Sequence, residues 1–350
     1  MGVKTIQLTK KIESIEHLKN QQMIIDTNLL LYNYIYAINK SGTVYIDKNG
    51  NNINHIYAIL NIISLFTNNR IFPIFVFDGS PPECKEIVKK RLIKRKIIQE
   101  NYERSELPIG EKIQIFANNI NLTFKKIKEC IEIIELCGYP HVISYEEADS
   151  QCIAIAKYFG IPNILSRDKD LLMYNFGNVY CDIINQKKQV AYYNSINILT
   201  DYNLKCHDIR QKHNLEPINF THEHFMLFSI CLGTDYIAPN EGNTRIKLAK
   251  NVAFELFVKS DLDLNKFIDL CNEYKKESVP LNMAENCQYI LDYYKNTLVY
   301  NPAYLNIKFK YFNKKKLMNV LNTKYNINTQ NITSYIKIIE KGESYFLHLL

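Results

Sequence analysis

Seven acidic residues in the first two-thirds of the chain are the side chains best suited to chemistry. They are Asp26, Asp78, Glu147, Asp149, Asp168, Asp170 and Asp235. Carboxylates that crowd together repel one another, and they stay ionised only when cations neutralise them. Oxygen-rich sites of this kind suit hard divalent metal ions. The acids therefore predict a divalent-metal site that acts on phosphoryl groups.

The spacing of the acids supports this interpretation. Glu147 with Asp149, and Asp168 with Asp170, share an i, i+2 spacing. The first pair lies at a predicted helix start, where the positive end of the helix dipole tolerates acids. A two-metal site places its ions about 3.5 to 4 Å apart and needs about six oxygen ligands for each. Any single acid is more simply explained as a cap or a turn former, but the whole set favours a metal site.

The elements that position these acids alternate between strands and helices. Apolar runs predict strands near 22–26, up to Asp78, up to Ser144, and up to the aspartate pair at 168 and 170. Helices are predicted near 28–39, 54–68, 83–105, in LTFKKIKECIEIIELCG, in EEADSQCIAIAKYF, and from about 221 onward. Such alternation is typical of an α/β fold with a mixed, largely parallel central sheet flanked by helices. Ligands of these sheets bind outside the carboxyl ends of the strands, where the acids lie.

The composition is that of a globular protein with uneven positive charge. With 350 residues, of which 47% are hydrophobic, the chain can bury a large core. The net charge of +7 is concentrated near 85–96, 125–128 and 308–316. Clusters of this kind favour a nucleic-acid partner, although a solvated helix face is the simpler explanation of any one cluster.

The cysteines, the histidines and the apolar runs exclude several other classes. Nine cysteines without a C-x-x-C pair indicate a reducing compartment and argue against a disulfide framework or a thiolate zinc site. Cys130 and Cys137 have helical spacing and are predicted to be core. His222 and His224 lack the spacing of a helical zinc site and are interpreted as a helix entry. Without a membrane-length apolar stretch or a signal peptide, the chain is expected to be intracellular, not secreted and not membrane-bound.

Taken in order, the motifs resemble the flap endonuclease and XPG family of structure-specific 5′ nucleases. The matching segments are MGVK, IIDTNLLLY, FVFDGSPPECK, EEADSQC, SRDKDLL, LGTDY and EGNTRIKLAKNV, and they span residue 1 to about residue 260. The resemblance implies a PIN-like 5′ nuclease fold with a helical cap and a helix-two-turn-helix element. It also implies two Mg²⁺ ions in each active site, with Mn²⁺ as a substitute, and hydrolysis of DNA phosphodiesters at 5′ flaps and junctions, with 5′-3′ exonuclease activity.

The resemblance also assigns roles to individual residues. The first ion is assigned to Asp78, Glu147, Asp149 and Asp168, the second to Asp170 and Asp235, and a supporting catalytic role to Asp26. Lys85 corresponds to a family lysine that reaches the scissile phosphate. The family arginine falls at Leu92, so Arg91 is the nearest candidate, and Lys89 is an alternative on the face of Lys85. Tyr32 corresponds to an aromatic residue on which the base beside the cleavage site stacks.

The helix-two-turn-helix element is expected beyond Asp235. Its DNA contacts are assigned to Gly242, Thr244, Arg245 and Lys247. The family has a second glycine where this chain has Thr244, and often a proline where it has Arg245, and both departures count against the family's bound K⁺ here. The C-terminal KGESYFLHLL lacks the Gln-led, two-aromatic motif that docks on a sliding clamp, so clamp docking is unsupported.

The resemblance divides the chain into four regions. They are an N-terminal nuclease region 1–105, a cap 106–130 that begins within the helix near 93, a second nuclease region 131–260, and a helical, basic C-terminal region 261–350. The cap suits a threaded 5′ single strand. We expect a monomer that serves DNA replication, repair or recombination in the nucleus, or at a cytoplasmic replication site if a virus encodes it. The residue usage, rich in Ile, Asn, Lys and Tyr, is typical of an AT-rich genome such as that of a large DNA virus or a protist.

Three alternative functions stay open at this point. A junction-resolving nuclease of the same family has the same motifs. A PIN-like RNA nuclease would not need the helix-two-turn-helix element. A non-catalytic DNA-binding scaffold would have no use for self-repelling carboxylates, so the retained acids and Lys85 argue against it.

Overall fold

A computed structural model of the protein describes residues 8–82, 120–184, 187–236 and 244–346. Seven strands of the described chain form one mixed sheet. The strands are β1 (Lys11–Ser14), β2 (Gln22–Asp26), β3 (Phe72–Phe77), β4 (His141–Ile143), β5 (Asn163–Leu165), β6 (Asn178–Ile184) and β7 (Gln189–Asn194). Their order is β1-β7-β6-β5-β2-β3-β4. The strands from β6 to β4 pair in parallel, and β7 pairs antiparallel with both β6 and β1.

Helices cover both faces of this sheet. Within the described ranges they are α1 (Thr27–Lys40), α2 (Asn54–Asn68), α3 (Phe124–Leu136), α4 (Ala148–Phe159), α5 (Ser195–Lys212), α6 (His222–Leu232), α7 (Lys250–Lys259), α8 (Leu264–Tyr274), α9 (Met283–Lys295), α10 (Lys314–Thr323) and α11 (Thr329–Phe346). Short 3₁₀ helices span Ile15–Leu18, Lys169–Tyr174 and Pro302–Tyr304. The mixed, largely parallel sheet with flanking helices confirms the predicted fold class. None of the helices described is both long and apolar enough to cross a membrane.

The central strands are buried on both sides because helices cover both faces of the sheet. On β2, Ile24 belongs to a first core, whereas Met23 and Ile25 belong to a second. Side chains alternate across a strand, so adjacent residues serve opposite faces. Strands buried on both faces become continuous apolar runs, which is why QMII and FPIFVF were recognisable in the sequence.

The two cores are built from different parts of the chain. The first core packs α4 to α9 on one face of the sheet, and the second packs α1 to α3, α10 and α11 on the other. The chain beyond residue 260 therefore contributes to both faces and is not one separate layer. All eight described cysteines are free thiols, and seven of them are buried in these cores, as predicted for Cys130 and Cys137.

Several predicted helices are found where the sequence placed them. Helix α1 exceeds its prediction by one residue at each end, and α2 has the predicted bounds. Helix α3 begins after Thr123, whose side chain accepts from the Lys126 amide, and it is followed by Gly138 at φ +82°. His222 begins α6, and the Thr221 and His224 side chains form a capping box there, so the predicted helix entry is confirmed.

Most of the predicted cap lies outside the described residues. Residues 83–119, which include Lys85, Lys89 and Arg91, lie outside the described residues. The predicted boundary at 130 falls inside α3, where Ile127 and Cys130 are buried in the second core. An apolar helical face that packs on the core belongs to the body of the domain. The buried face of residues 124–130 thus packs on the body of the domain, and the four-region division of the chain stays a prediction.

Candidate metal centre

The acids lie at the carboxyl edge of the sheet, where the strand order reverses. Strand β2 lies between β3 and β5, so the chain turns to opposite sides of β2 as it proceeds. A crevice forms outside the strand ends at such a switch point. Asp26 is the last residue of β2, Asp78 directly follows β3, and Asp168 comes three residues after β5 ends at Leu165. The topology thus delivers acids from three neighbouring strands to one crevice.

Three carboxylates form the centre of the site. Oxygen atoms of Asp149, Asp168 and Asp170 all lie within 4.8 Å of one another. Asp149 is in the first turn of α4, and Asp168 is the N-cap of the 3₁₀ helix that contains Asp170. The Asp170 amide donates to Asp168 Oδ1 at 3.1 Å, which fixes the turn between them. Asp149 of the first i, i+2 pair therefore meets both members of the second pair. We call these three residues the acid triad.

Ser166 connects this triad to Asp26. Its hydroxyl donates to Asp26 Oδ2 at 2.7 Å and accepts from the Asp168 amide at 3.0 Å. Asp26 also accepts from the Leu29 amide, at the start of α1, at 3.4 Å. Asp26 therefore has defined partners on two elements and lies beneath the crevice, 6% exposed.

Burial and mutual repulsion raise the proton affinity of the acids. The pKa of Asp26 is raised to about 7, first by burial and then by the charges of Asp78 and Asp168. Burial, followed by the charge of Asp168, likewise raises the pKa of Asp149 well above its usual range. Each shift states that the ionised form is disfavoured by the surroundings. A cation in the crevice would reverse that effect.

Backbone contacts hold the loop after β3 against the start of α4. The Ala148 amide donates to Asp78 Oδ1 at 3.0 Å. The Gly79 amide donates to the Glu146 carbonyl at 2.6 Å, and the Ser80 amide to the Tyr145 carbonyl at 3.2 Å. Asp78 itself is exposed at the mouth of the crevice. The two loops that carry Asp78 and Glu147 are thus fixed to each other.

Three tyrosines pack beside the acidic residues. The Tyr236 hydroxyl donates to Glu147 Oε2. Burial and the Glu147 carboxylate raise the pKa of Tyr236, so its hydroxyl remains a neutral donor. Tyr236 packs on Tyr293 and Tyr294, with ring centroids 4.8 and 5.2 Å away. These tyrosines and Ser166 were not found in the sequence, because their contacts join positions as distant as 89 and 140 residues.

The chemistry of the site fits a hard divalent cation. Asp149 Oδ1 is buried and has no hydrogen-bond partner among the described residues. A buried carboxylate oxygen without a partner is costly, and a metal ion would satisfy it. The ligand atoms are carboxylate oxygens alone, which suit Mg²⁺, Mn²⁺ or Ca²⁺ better than zinc or copper.

The remaining predicted residues lie farther along the chain or elsewhere. Asp235 follows α6, is half-buried, and directly precedes Tyr236. Tyr32 lies on α1, half-buried against the second core. Thr244 is buried, and its hydroxyl donates to the Ile230 carbonyl of α6 at 2.7 Å. Arg245 and Lys247 are exposed before α7, whereas Gly242 lies outside the described residues.

Comparisons with known proteins agree with this geometry. Two family models match the chain: the XPG N-terminal domain over residues 1–99 and the XPG I-region over residues 138–235. Flap endonuclease 1 of Neosartorya fischeri is 23% identical over 275 residues, which are 77% of this chain and 64% of that protein. The chain spans about three-fifths of the length of the fungal relatives that it matches.

Solved structures show the same fold. The catalytic core of Rad2 in complex with DNA substrate superposes with a TM-score of 0.64 at 17% identity, covering 97% of this chain and 96% of that one. Human GEN1 in complex with Holliday junction DNA superposes with a TM-score of 0.58 at 15% identity, covering 94% and 74%. The matched fold extends over nearly the whole of this chain, including the helices beyond residue 260.

Proposed function

The chain belongs to the flap endonuclease and XPG family, and on that premise we propose that it is a divalent-metal-dependent, structure-specific 5′ nuclease. It would hydrolyse DNA phosphodiesters at 5′ flaps and at junctions between single and double strands. This activity would serve DNA replication, repair or recombination. The sequence relatives named flap endonuclease 1 support flaps as the substrate class.

One observation carries the proposal: carboxylates from three strand ends and from α4 converge on one crevice. A binding protein has no use for acids that repel one another and the phosphate. We propose that two Mg²⁺ ions bind here. Asp78, Glu147 and the acid triad would hold them, Asp235 would complete the second site, and Asp26 would support both. Bound ions would supply Lewis-acid stabilisation of the phosphate and would acidify a water for attack. Mn²⁺ has the same ligand preference and should replace Mg²⁺.

The chain's own residues would orient the acids and hold the duplex. Ser166 fixes Asp26 and the turn at Asp168, and Tyr236 fixes Glu147. Arg245 and Lys247 are exposed cations between α6 and α7, and we propose that they contact the duplex backbone. Phosphate contacts of this kind position the substrate without reading its sequence. A K⁺ ion is not part of the proposal, because Thr244 occupies a glycine position and its hydroxyl bonds to Ile230.

A junction-resolving nuclease is the second candidate. The likeness of the whole fold to the GEN1 complex with Holliday junction DNA favours it. The two candidates differ in their need for a free 5′ end, since a strand that threads beneath a cap must have one. Lys85, Arg91 and Tyr32 would act on the scissile phosphate and its neighbouring base in either case.

A substrate panel tests the proposal. End-labelled 5′ flap, nicked, four-way-junction, single-stranded DNA and single-stranded RNA substrates would be cut under single-turnover conditions with Mg²⁺. We expect cleavage of the flap within a nucleotide or so of the junction. A bulky adduct on the 5′ terminus should suppress cutting when it is attached before mixing but not after the complex has formed. Preferred symmetrical cutting of the four-way junction would establish the second candidate instead, and preferred cutting of RNA would refute both.

A further inference from the structure

Two exposed tyrosine rings form a pair beside the metal centre. Tyr145, between β4 and α4, and Tyr300, after α9, contact edge to face, with centroids 5.6 Å apart and planes at 79°. About half of the surface of each residue is accessible to solvent: Tyr145 is 49% exposed and Tyr300 is 47% exposed. We call these two residues the aromatic pair. Exposed aromatic rings offer π faces on which nucleic-acid bases stack.

The backbone beneath both rings is held in place. Gln151 of α4 is fully buried, and its amide side chain binds Tyr300 twice. Gln151 Oε1 accepts from the Tyr300 amide at 2.8 Å, and Gln151 Nε2 donates to the Tyr300 carbonyl at 3.0 Å. The Tyr145 carbonyl accepts from the Ser80 amide. A ring on a fixed backbone loses little conformational entropy when it binds a partner. This arrangement is therefore preorganised for a ligand.

The pair is also close to the acids. Tyr145 precedes Glu147 by two residues, so their Cα atoms are at most about 7 Å apart. Gln151 follows Glu147 by four residues, which places it one helical turn below on the same face of α4. Successive nucleotides of a stacked strand are about 3.4 Å apart. A base on the pair would therefore lie within a few nucleotides of a phosphate bound at the metal centre.

We propose that the aromatic pair is a stacking site for a base of the DNA single strand next to the scissile phosphate. This inference rests on the proposed function and adds a substrate subsite to it. The site is separate from Tyr32, which lies on α1 against the second core. Stacking on two edge-to-face rings would be independent of base identity, because every base has a π face. Its contribution would be to hold the strand in register with the metal centre.

Ring-deletion variants test the subsite directly. Tyr145→Ala and Tyr300→Ala should each weaken flap binding, measured in Ca²⁺, by about 5- to 150-fold. Tyr145→Phe and Tyr300→Phe should bind as the wild type, because stacking needs the ring and not the hydroxyl. Tyr158→Ala is the matched control. Tyr158 is an exposed tyrosine at the far end of α4, in edge-to-face contact with Phe159, and its loss should leave binding unchanged.

Abasic substrates separate stacking from a structural role. A single abasic site would be moved through the strand, one nucleotide at a time on each side of the cleavage position. At one or two positions the abasic site should lower the affinity of the wild type. At the same positions it should not lower the affinity of Tyr145→Ala further, because this variant lacks the ring on which the base stacks. Equal sensitivity of wild type and variant at every position would overturn the inference, as would normal binding by both alanine variants. Failure of the wild type to cut any DNA substrate would instead refute the proposed function.

Discussion

Ser166 shows how one small side chain can connect two acids from different strands. Its hydroxyl contacts Asp26 and the turn at Asp168 together. The identity of the acids was predictable, because strand ends and i, i+2 spacing are local features of the sequence. Ser166 and Tyr236 were not predictable, because their roles depend on contacts across the fold. The three members of the acid triad were identified in the sequence, but their convergence on one crevice follows from the order of the strands in the sheet.

At this scale the first prediction concerns catalysis. Asp170→Asn should lower the single-turnover cleavage rate by about 10³-fold or more, because the lost charge is needed to hold a cation at the phosphate. Flap affinity in Ca²⁺ should stay within a few-fold, since the proposed duplex contacts lie elsewhere. Asp182→Asn is the control: Asp182 is an acid on β6 that pairs with Arg167, and its loss should leave cleavage intact. Equal loss of binding and cleavage in Asp170→Asn would indicate a structural role.

A second prediction concerns pH and metal. The pKa of Asp26 is raised from 3.8 to about 7 in the folded protein, so the folded state keeps a proton that the unfolded chain releases. The contribution of Asp26 to stability is therefore greatest below about pH 4 and is lost as the pH rises to about 7. Calorimetry should show that Mg²⁺ raises the melting temperature more at about pH 8 than at about pH 5.

Removal of one negative charge from the acid triad should stabilise the metal-free protein, as a bound cation would. Without metal at about pH 8, Asp149→Asn should melt at least as high as the wild type, because the substitution relieves repulsion around a buried carboxylate. Its melting temperature should respond less to Mg²⁺. An equal Mg²⁺ response at both pH values, together with a full response in Asp149→Asn, would contradict a metal site at these acids.

Among the elements, most helices and the strands from β5 to β4 were predictable, but the edge of the sheet formed by β1 was not. Strand β1 is exposed along its whole length and has no apolar alternation to reveal it. The β6–β7 hairpin and α5 were also missed. The residues of β6 and β7 are rich in Tyr and Asn, and the pairing of β6 with β5 and of β7 with β1 decides their conformation more than local preference does. The metal centre was recognisable because it is built on the predictable central strands.

The contact between the loop after β3 and the loop before α4 supports a third prediction. A Cβ atom on Gly79 would lie 2.0 Å from the Ser144 carbonyl oxygen, so Gly79→Ala must push the two loops apart. We expect a loss of about 1–3 kcal/mol in the free energy of unfolding by urea. Cleavage should fall by about 10²-fold, because Asp78 and Glu147 move relative to each other.

A second glycine provides the control for this variant. Gly160 has φ +67°, and a Cβ atom there would meet open space. Gly160→Ala should therefore cost about 1 kcal/mol of backbone strain and leave cleavage unchanged. If both variants lose stability but keep full activity, the contact between the loops does not control the geometry of the acids.

At the scale of the whole molecule, the C-terminal helices α10 and α11 help to cover the face of the sheet that carries the second core. Helices α10 and α11 pack with α2 and α3, although 177 residues of sequence lie between the end of α3 at Leu136 and the start of α10 at Lys314. The sequence predicted a distinct region from 261 to 350. Periodicity indicates which face of a helix is apolar, but not which surface it covers, so the division of this region between two cores could not be predicted.

A fourth prediction tests this closure. Leu317 of α10 is fully buried in the second core, so Leu317→Ala should cost about 2–5 kcal/mol of unfolding free energy. Lys315, two residues earlier, is exposed, and Lys315→Ala should change stability by no more than about 0.5 kcal/mol. Urea denaturation followed by circular dichroism measures both. Similar small effects of the two variants would mean that the C-terminal helices add little to the fold.

The rate at which each buried thiol is alkylated can report how often the part of the fold around it opens. A thiol reacts as the thiolate, and burial raises the pKa of both Cys130 and Cys137 far above the usual range. Alkylation must therefore wait for an opening event, and its rate follows the frequency of that event. Cys130 and Cys137 belong to the second core, whereas Cys152, Cys206 and Cys231 belong to the first. The order in which a mass spectrometer finds them labelled would reveal which face of the sheet opens first.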